Sequence, residues 1–386
     1  MKRINSIDFT RGLVMIIMAL DHTRDFMHAP ALTQDPTDLT TTTPWLFFTR
    51  WITHLCAPTF VFLSGTSVFL SVKSQQNRAE ARRFLLTRGL WLVFLEFTIV
   101  NFALWFDIRF HVLFSQVIAA IGMGFVLLSL LLWLSPKSIS ILGAILLVSH
   151  QAIQFLLSNG SPVVQGINAV FFARGAFPIS PDHLFVMGYP IVPWFSLMLL
   201  GYGLGTIFEL SEPVRFKKLI QLGLGSLVLF VILRSINGYG DPSPWKPQKE
   251  VLFSVLSFLN VTKYPPSLMY SLLMLGIALL ILATSENFSS RLSRVISIYG
   301  KVPMFYYLIH WYVLHSLMIV LVLGQGFSWD DIQFNGFNLG RPPQFGFPLG
   351  WVYVIWGSVV ASLFPLCRWY AQYKASHREK TWLRYL

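Results

Sequence analysis

An all-α polytopic membrane protein, a bundle of about ten transmembrane helices, is what this sequence predicts, and three observations predict it. Over half of its 386 residues are hydrophobic and only 12% are charged. The apolar residues come in long blocks, not in the short alternations of a soluble fold. The basic residues gather in alternate connections between those blocks. Blocks of spanning length lie at roughly 9–28, 46–72, 84–106, 110–134, 138–157, 188–208, 217–237, 264–284, 298–323 and 346–370. They form a single membrane domain over 1–386.

The first block opens like a signal peptide, basic then apolar. No small-residue cleavage site follows, and Asp21-His22 interrupts the region where one would lie, so it is expected to stay as a helix. With the N-terminus cytoplasmic, the inner connections and tail hold 17 basic residues. These are Lys2, Arg3, Lys73, Arg78, Arg82, Arg83, Lys137, Arg215, Lys217, Lys218, Arg291, Arg294, Arg368, Lys374, Arg378, Lys380 and Arg384. The outer side holds 8: Arg24, Arg50, Arg109, Arg174, Lys246, Lys249, Lys263 and Arg341. The excess belongs inside, so both termini are expected in the cytoplasm and the chain in an inner membrane of bacterial type. Positive inner loops account for the net charge of +12 without a nucleic-acid partner. Val251–Leu259 is too short to span and is expected as a re-entrant segment. The long outer connections, near 29–45, 158–187, 238–263 and 324–345, are rich in turn formers and aromatics. An acceptor site is expected to face that side. Cys56 and Cys367 fall in different blocks, with no disulfide and no metal-ligand spacing expected.

Ionisable residues inside such blocks are the functional candidates. On the first helix Arg11 and His22 are about 16 Å apart along the axis. His22 and Asp25 share a face, with Asp21 turned away, which suits a carboxylate-oriented general base and equally an interfacial polar cap. Arg50 and His54 share a face of the second block near the same depth, which argues for a shared cavity. Ser64, Gly65, Thr66 and Ser67 suit close helix packing more than ligand contact. Topology accounts for Arg78, Arg82 and Arg83. Arg88 lies a turn deeper and makes, with Arg11, a candidate inner anion site. Lys263 and Tyr264 start an outer helix, and His310 sits mid-span. Glu96, Asn101 and Gln116 are further polar candidates for packing or cavity lining. His28, His111, His150 and His183 take no role from spacing.

Four segments in order carry a family resemblance: Ile7-Asp8-Phe9-Thr10-Arg11-Gly12-Leu13 through Asp21-His22, then Phe60-Val61-Phe62-Leu63-Ser64-Gly65, the arginine-rich stretch ending at Arg88, and Tyr306-Tyr307-Leu308-Ile309-His310. The chain resembles the transmembrane acyltransferases. That group includes the surface-polysaccharide O-acyltransferases and the bacterial proteins grouped with heparan-α-glucosaminide N-acetyltransferase. The resemblance implies a cytoplasmic acyl-CoA donor, acetyl-CoA above all, and an extracytoplasmic saccharide or glycolipid acceptor, with no metal. It matches His22 to the catalytic histidine of the polysaccharide enzymes and Arg11 to their first-helix arginine. In the heparan enzyme the catalytic histidine lies in the following loop, where this chain offers His28. The expected arrangement is then His22 as base or acyl carrier, oriented by Asp25, with Arg50 or His54 at the oxyanion. Arg11, Arg82, Arg83 and Arg88 would hold the CoA phosphates, and Asp21, His28, Lys263, Tyr264 and His310 would lie on the acceptor side. The competing class is a small-solute or proton-coupled transporter, with the same His and Asp groups as a proton relay. A pseudo-enzyme that tethers other membrane proteins is a third. Self-association into a homo-oligomer is compatible with the sequence.

Overall fold

The computed structural model describes residues 4–74, 77–334, 337–377 and 379–384. Of the basic residues counted above, Lys2, Arg3 and Arg378 lie outside them. The chain runs α1 (Asn5–Met27), α2 (Pro44–Thr53), α3 (Cys56–Ser74), α4 (Arg78–Leu95), α5 (Asn101–Trp105), β1 (Val112–Ser115), α6 (Val117–Leu131), α7 (Pro136–Ser158) and α8 (Pro162–Phe171). It continues β2 (Gly175–Ser180), β3 (His183–Met187), α9 (Ile191–Leu204), α10 (Glu212–Ile236), α11 (Val251–Leu259), α12 (Leu268–Ser285), α13 (Arg291–Lys301), α14 (Pro303–Gly324) and α15 (Leu349–Ser376).

Among the described residues eight helical stretches are long and apolar enough to cross a membrane: α2 with α3, α4 through α5, α7, α9 with its 3-10 extension, α10, α12, α14 and α15. The protein is an all-α integral membrane protein. Two of the ten expected blocks fall outside that set. α1 is long enough but carries five charged residues, and α6 has only 15 residues. The block expected at 110–134 is a shorter helix because its start is a strand. Asp107 accepts from the backbone N–H groups of Arg109 (2.9 Å) and His111 (2.8 Å), which turns the chain after α5. Val112–Ser115 then pairs in parallel with β3, while β2 and β3 form an antiparallel hairpin, giving the order β1-β3-β2. The block expected at 298–323 breaks between α13 and α14. Pro303 lacks an N–H and disfavours helical backbone at Val302, which takes φ −133° and ψ 50°. The Val251–Leu259 segment is a nine-residue helix, bound by the Arg234 guanidinium through the carbonyls of Ser257, Phe258 and Asn260.

α1 is the core helix. It packs against α2, α3, α12, α13, α14 and α15. The most extensive helix pairs cross on glycine: Gly12 with Gly300 (α1–α13), Gly65 with Gly201 (α3–α9), Gly89 with Gly122 (α4–α6), Gly223 with Gly276 (α10–α12) and Gly143 with Gly203 (α7–α9). A Cβ on Gly12 would stand 1.9 Å from the Ile296 carbonyl oxygen, and one on Gly300 would stand 1.8 Å from that of Asp8. Backbones this close gain dispersion contacts that lipid cannot match. The short basic connections meet at one end, tied by the Lys73–Glu209 and Arg215–Glu286 ion pairs. The long connections and the small sheet gather at the other, where α1 ends.

Gly12→Val should therefore lower the melting temperature in detergent sharply, since overpacking costs about 1–3 kcal/mol. Gly357→Ala on α15, where a Cβ meets nothing within 4 Å, should be neutral or slightly stabilising. Equal melting temperatures for Gly12→Val and wild type would refute the tight α1–α13 crossing.

Candidate active site

Two cavities run inward from opposite ends of the bundle. The basic-side cavity, about 280 Å³, is lined by Arg11, Ser64, Ser67, Ser71, Arg88 and an apolar inner wall that includes Met15, Leu92 and Phe125. The loop-side cavity, about 290 Å³, is lined by Asp21, His22, Asp25, Arg50, Gln116, Lys263, Tyr264 and Trp311, with others. Phe60, Val117 and Tyr307 line both, so the cavities meet at a neck made by these three side chains.

His22 stands just on the loop side of that neck. Its Nδ1 is 2.7 Å from His310 Nε2, and its ring stacks on Trp311 at 3.9 Å between centroids. His310 Nδ1 is 3.1 Å from the Tyr306 carbonyl oxygen. A carbonyl only accepts, so His310 Nδ1 carries the proton and its Nε2 is an acceptor. His22 Nδ1–H then donates to it, which leaves His22 Nε2 with a free lone pair. The Tyr306 carbonyl thereby sets the tautomers of both rings. Asp25 lies in the cavity wall but does not orient His22. The Arg24 guanidinium, 2.6 Å away, takes its carboxylate. Asp21, expected to point away, lines the cavity and is held by Arg24 at 3.0 Å and by Arg50.

The remaining sequence candidates divide. Lys263 and Tyr264 reach the loop-side cavity, the Lys263 ammonium 5.0 Å from the centre of the Tyr264 ring. His54 is buried behind the wall, its ring edge-on to Tyr270, and is not among the lining residues. In the basic-side cavity Arg11 bonds Ser67 and reaches the Leu63 carbonyl at 3.5 Å, and Arg88 lies 5.7 Å from the Phe125 ring centre. Arg82 and Arg83 are exposed on α4 and do not line it. The small-residue stretch of α3 does both jobs. Gly65 and Thr66 pack on α9, Thr66 bonding the Gly201 carbonyl at 2.9 Å, while Ser64 and Ser67 face the cavity. His28 is placed outside the cavity wall, in a strap that bridges to Phe347. Fully buried Arg341 caps the end of α1 there, donating to the carbonyls of Asp25, Phe26, His28, Ala29 and Phe345.

Sequence reasoning passed over the neck. Tyr307 and Trp311 are i,i+4 on α14, Tyr307 one turn before His310 and Trp311 next to it, and that spacing was the available signal. Among the described residues, Gln116 Nε2 is buried without a hydrogen-bond partner, and the Tyr307 hydroxyl and Trp311 Nε1 have none beyond each other, the indole N–H facing the Tyr307 oxygen. A buried orphan donor costs about 1–3 kcal/mol, so the Tyr307 O–H and the Gln116 N–H beside the neck call for an acceptor. Also among the described residues, no group of three His, Cys, Asp or Glu side chains could hold a metal ion.

The sequence model of the family described as "Heparan-alpha-glucosaminide N-acetyltransferase, catalytic" matches residues 3–234, more than half of the chain and all of the basic-side cavity except its α14 wall. The protein belongs to that family. It is thus a membrane-embedded member of an acetyltransferase family whose enzymes use acetyl-CoA. A comparison with curated proteins finds no match.

Burial, together with the Arg24 and Arg341 cations, pushes the His28 imidazole from its ordinary 6.5 down to about 4. The native state holds His28 neutral where the unfolded chain would protonate it. Its contribution to stability is complete above about pH 6.5 and is lost as the pH falls toward 4. The melting temperature of His28→Gln should accordingly fall less over that interval than the wild-type value. Parallel curves would show His28 to be solvated.

Proposed function

We propose that the protein transfers an acetyl group from cytoplasmic acetyl-CoA to a hydroxyl or amine of an extracytoplasmic saccharide or glycolipid. The observation that carries this is the position of His22. Its tautomer is set from behind by His310, and it stands where a cavity with two arginines and three serines meets a second cavity at the loop-rich end. The excess of basic residues at the Arg78–Arg83 end supports the cytoplasm on that side, with both termini there.

The lining suits the donor: Arg11 and Arg88 match its phosphates, the serines offer hydroxyls, and the apolar inner wall suits an acyl-bearing arm. Bound acetyl-CoA supplies a thioester carbonyl, activated for attack. The protein supplies the rest. Phe60, Val117 and Tyr307 restrict water at the neck. His22 Nε2 takes the proton of the acceptor hydroxyl or amine as it attacks the carbonyl carbon, and returns a proton to the departing thiolate sulfur. Tyr307 O–H and Gln116 N–H face the negative charge that develops on the carbonyl oxygen, with the Trp311 N–H behind the Tyr307 oxygen. Lys263 and Tyr264 receive the acceptor. A proton-coupled transporter would use the same two cavities, and independence from CoA would identify it.

His22→Ala should reduce transfer by about 10²–10⁴-fold while acetyl-CoA still raises the melting temperature. His28→Ala should remain active. An active His22→Ala with a dead His28→Ala would move the chemistry to the strap. Arg88→Ala should weaken acetyl-CoA binding by about tenfold or more, the worth of a charge-assisted hydrogen bond, whereas exposed Arg82→Ala should change it little. Equal losses from the two would return Arg88 to a structural role.

A further inference from the structure

A third cavity of about 690 Å³ lies at the loop-rich end, apart from the two that meet at the neck. Gln151, Gln154 and Phe155 from the end of α7, Gln165 and Asn168 from α8, and Arg174 line it, and the Gly238–Pro242 loop closes its far side. Beside the donors of the Arg174 guanidinium, its buried amides leave acceptors over. Asn168 Nδ2 donates to the Gln154 carbonyl at 3.1 Å, which fixes the amide so that Oδ1 is left over. That oxygen, on a residue only 6% exposed, is buried without a partner among the described residues, and so is the Oε1 atom of half-buried Gln151. Gln165 spends one N–H on the Gly160 carbonyl at 3.0 Å and keeps its amide oxygen. The groove thus holds two buried acceptors in search of donors, and buried orphan acceptors are costly unless a ligand pairs them. Phe155, 72% exposed, adds an open aromatic ring.

Ligands rich in O–H donors with an apolar C–H face are sugars. The groove is also joined to the site. The Arg174 guanidinium lines it and lies 5.1 Å from the ring centre of Tyr264, which lines the cavity of His22. We infer that the groove binds a second sugar residue of the acceptor, so that the substrate is an oligosaccharide or glycan chain whose reacting unit sits at His22. This rests on the acyl-transfer reading for the reaction and on the groove alone for binding.

The test uses the full chain in detergent with glucosamine and its linear tetramer as probes, measuring direct binding and acetylation from acetyl-CoA. The tetramer should bind more tightly than the monomer. Gln151→Leu, which leaves the Asn168–Gln154 bond intact, and Asn168→Ala together should cut tetramer affinity about tenfold, two hydrogen bonds' worth, and leave monomer turnover unchanged. Gln151→Leu alone should give part of that loss, which guards against a double variant that fails to fold. Equal affinity for the two probes, or a length preference that survives both substitutions, overturns the groove. Length-dependent, Gln151-sensitive binding without any acetylation keeps the groove and counts against the transfer reaction instead.

Discussion

A helix with five charged residues cannot face lipid, and the rest of the molecule follows from covering α1. Each exposed charge in the hydrocarbon layer costs several kcal/mol, and burial is tolerable only with partners. At the loop end Asp21 is gripped by Arg24 and Arg50, Asp25 is taken by Arg24, and Arg341 closes the carbonyls that the helix end leaves over. At the basic end Arg11 turns to Ser67 on α3. The glycine crossing with α13 brings a neighbour close enough to seal the intervening face. The fold centre and the candidate site are therefore one object, because the groups that need cover are the groups that line the cavities.

Within that cover, the histidine pair solves a particular problem. A lone imidazole in a dry cavity is free to present either nitrogen. The fixed Tyr306 carbonyl removes that freedom two rings away, without placing a second charge beside His22. A carboxylate partner would have brought such a charge into a site that already holds two acidic residues. Stacking on Trp311 holds the ring plane as the hydrogen bond holds its rotation.

What was legible in the sequence follows helix geometry. The apolar blocks and the membrane class come from composition along the chain, and the choice of Arg11, Arg88 and His22 from spacing along one helix joined, for Arg11 and His22, to the family resemblance; the structure places those three side chains on the cavities. What crosses between helices was not legible. His22 meets His310 across 288 residues, and nothing in the spacing of either segment encodes that contact. The i,i+3 rule put Asp25 on the face of His22 but could not see Arg24, the adjacent residue, capturing it. The expected arrangement groups Arg82 and Arg83 with Arg88 at the CoA phosphates although Arg88 alone lies a turn deeper, and only Arg88 shares the cavity-facing row of α4 with Ala81, Phe84 and Leu85. The strand at Val112–Ser115 was hidden because its pairing partner lies some seventy residues on, beyond three helices.

The neck also has an electrical consequence. Two cavities that approach from opposite faces leave little insulating material between them, so a transmembrane voltage falls mainly across Phe60, Val117 and Tyr307. A unit charge moved through that field exchanges about 2.3 kcal/mol per 100 mV. In the proposed reaction the acetyl group would cross in exchange for the acceptor's proton, with no net charge moved, while the anionic CoA would stay on its own side. Such a chain would carry covalent material across a bilayer while conducting no current.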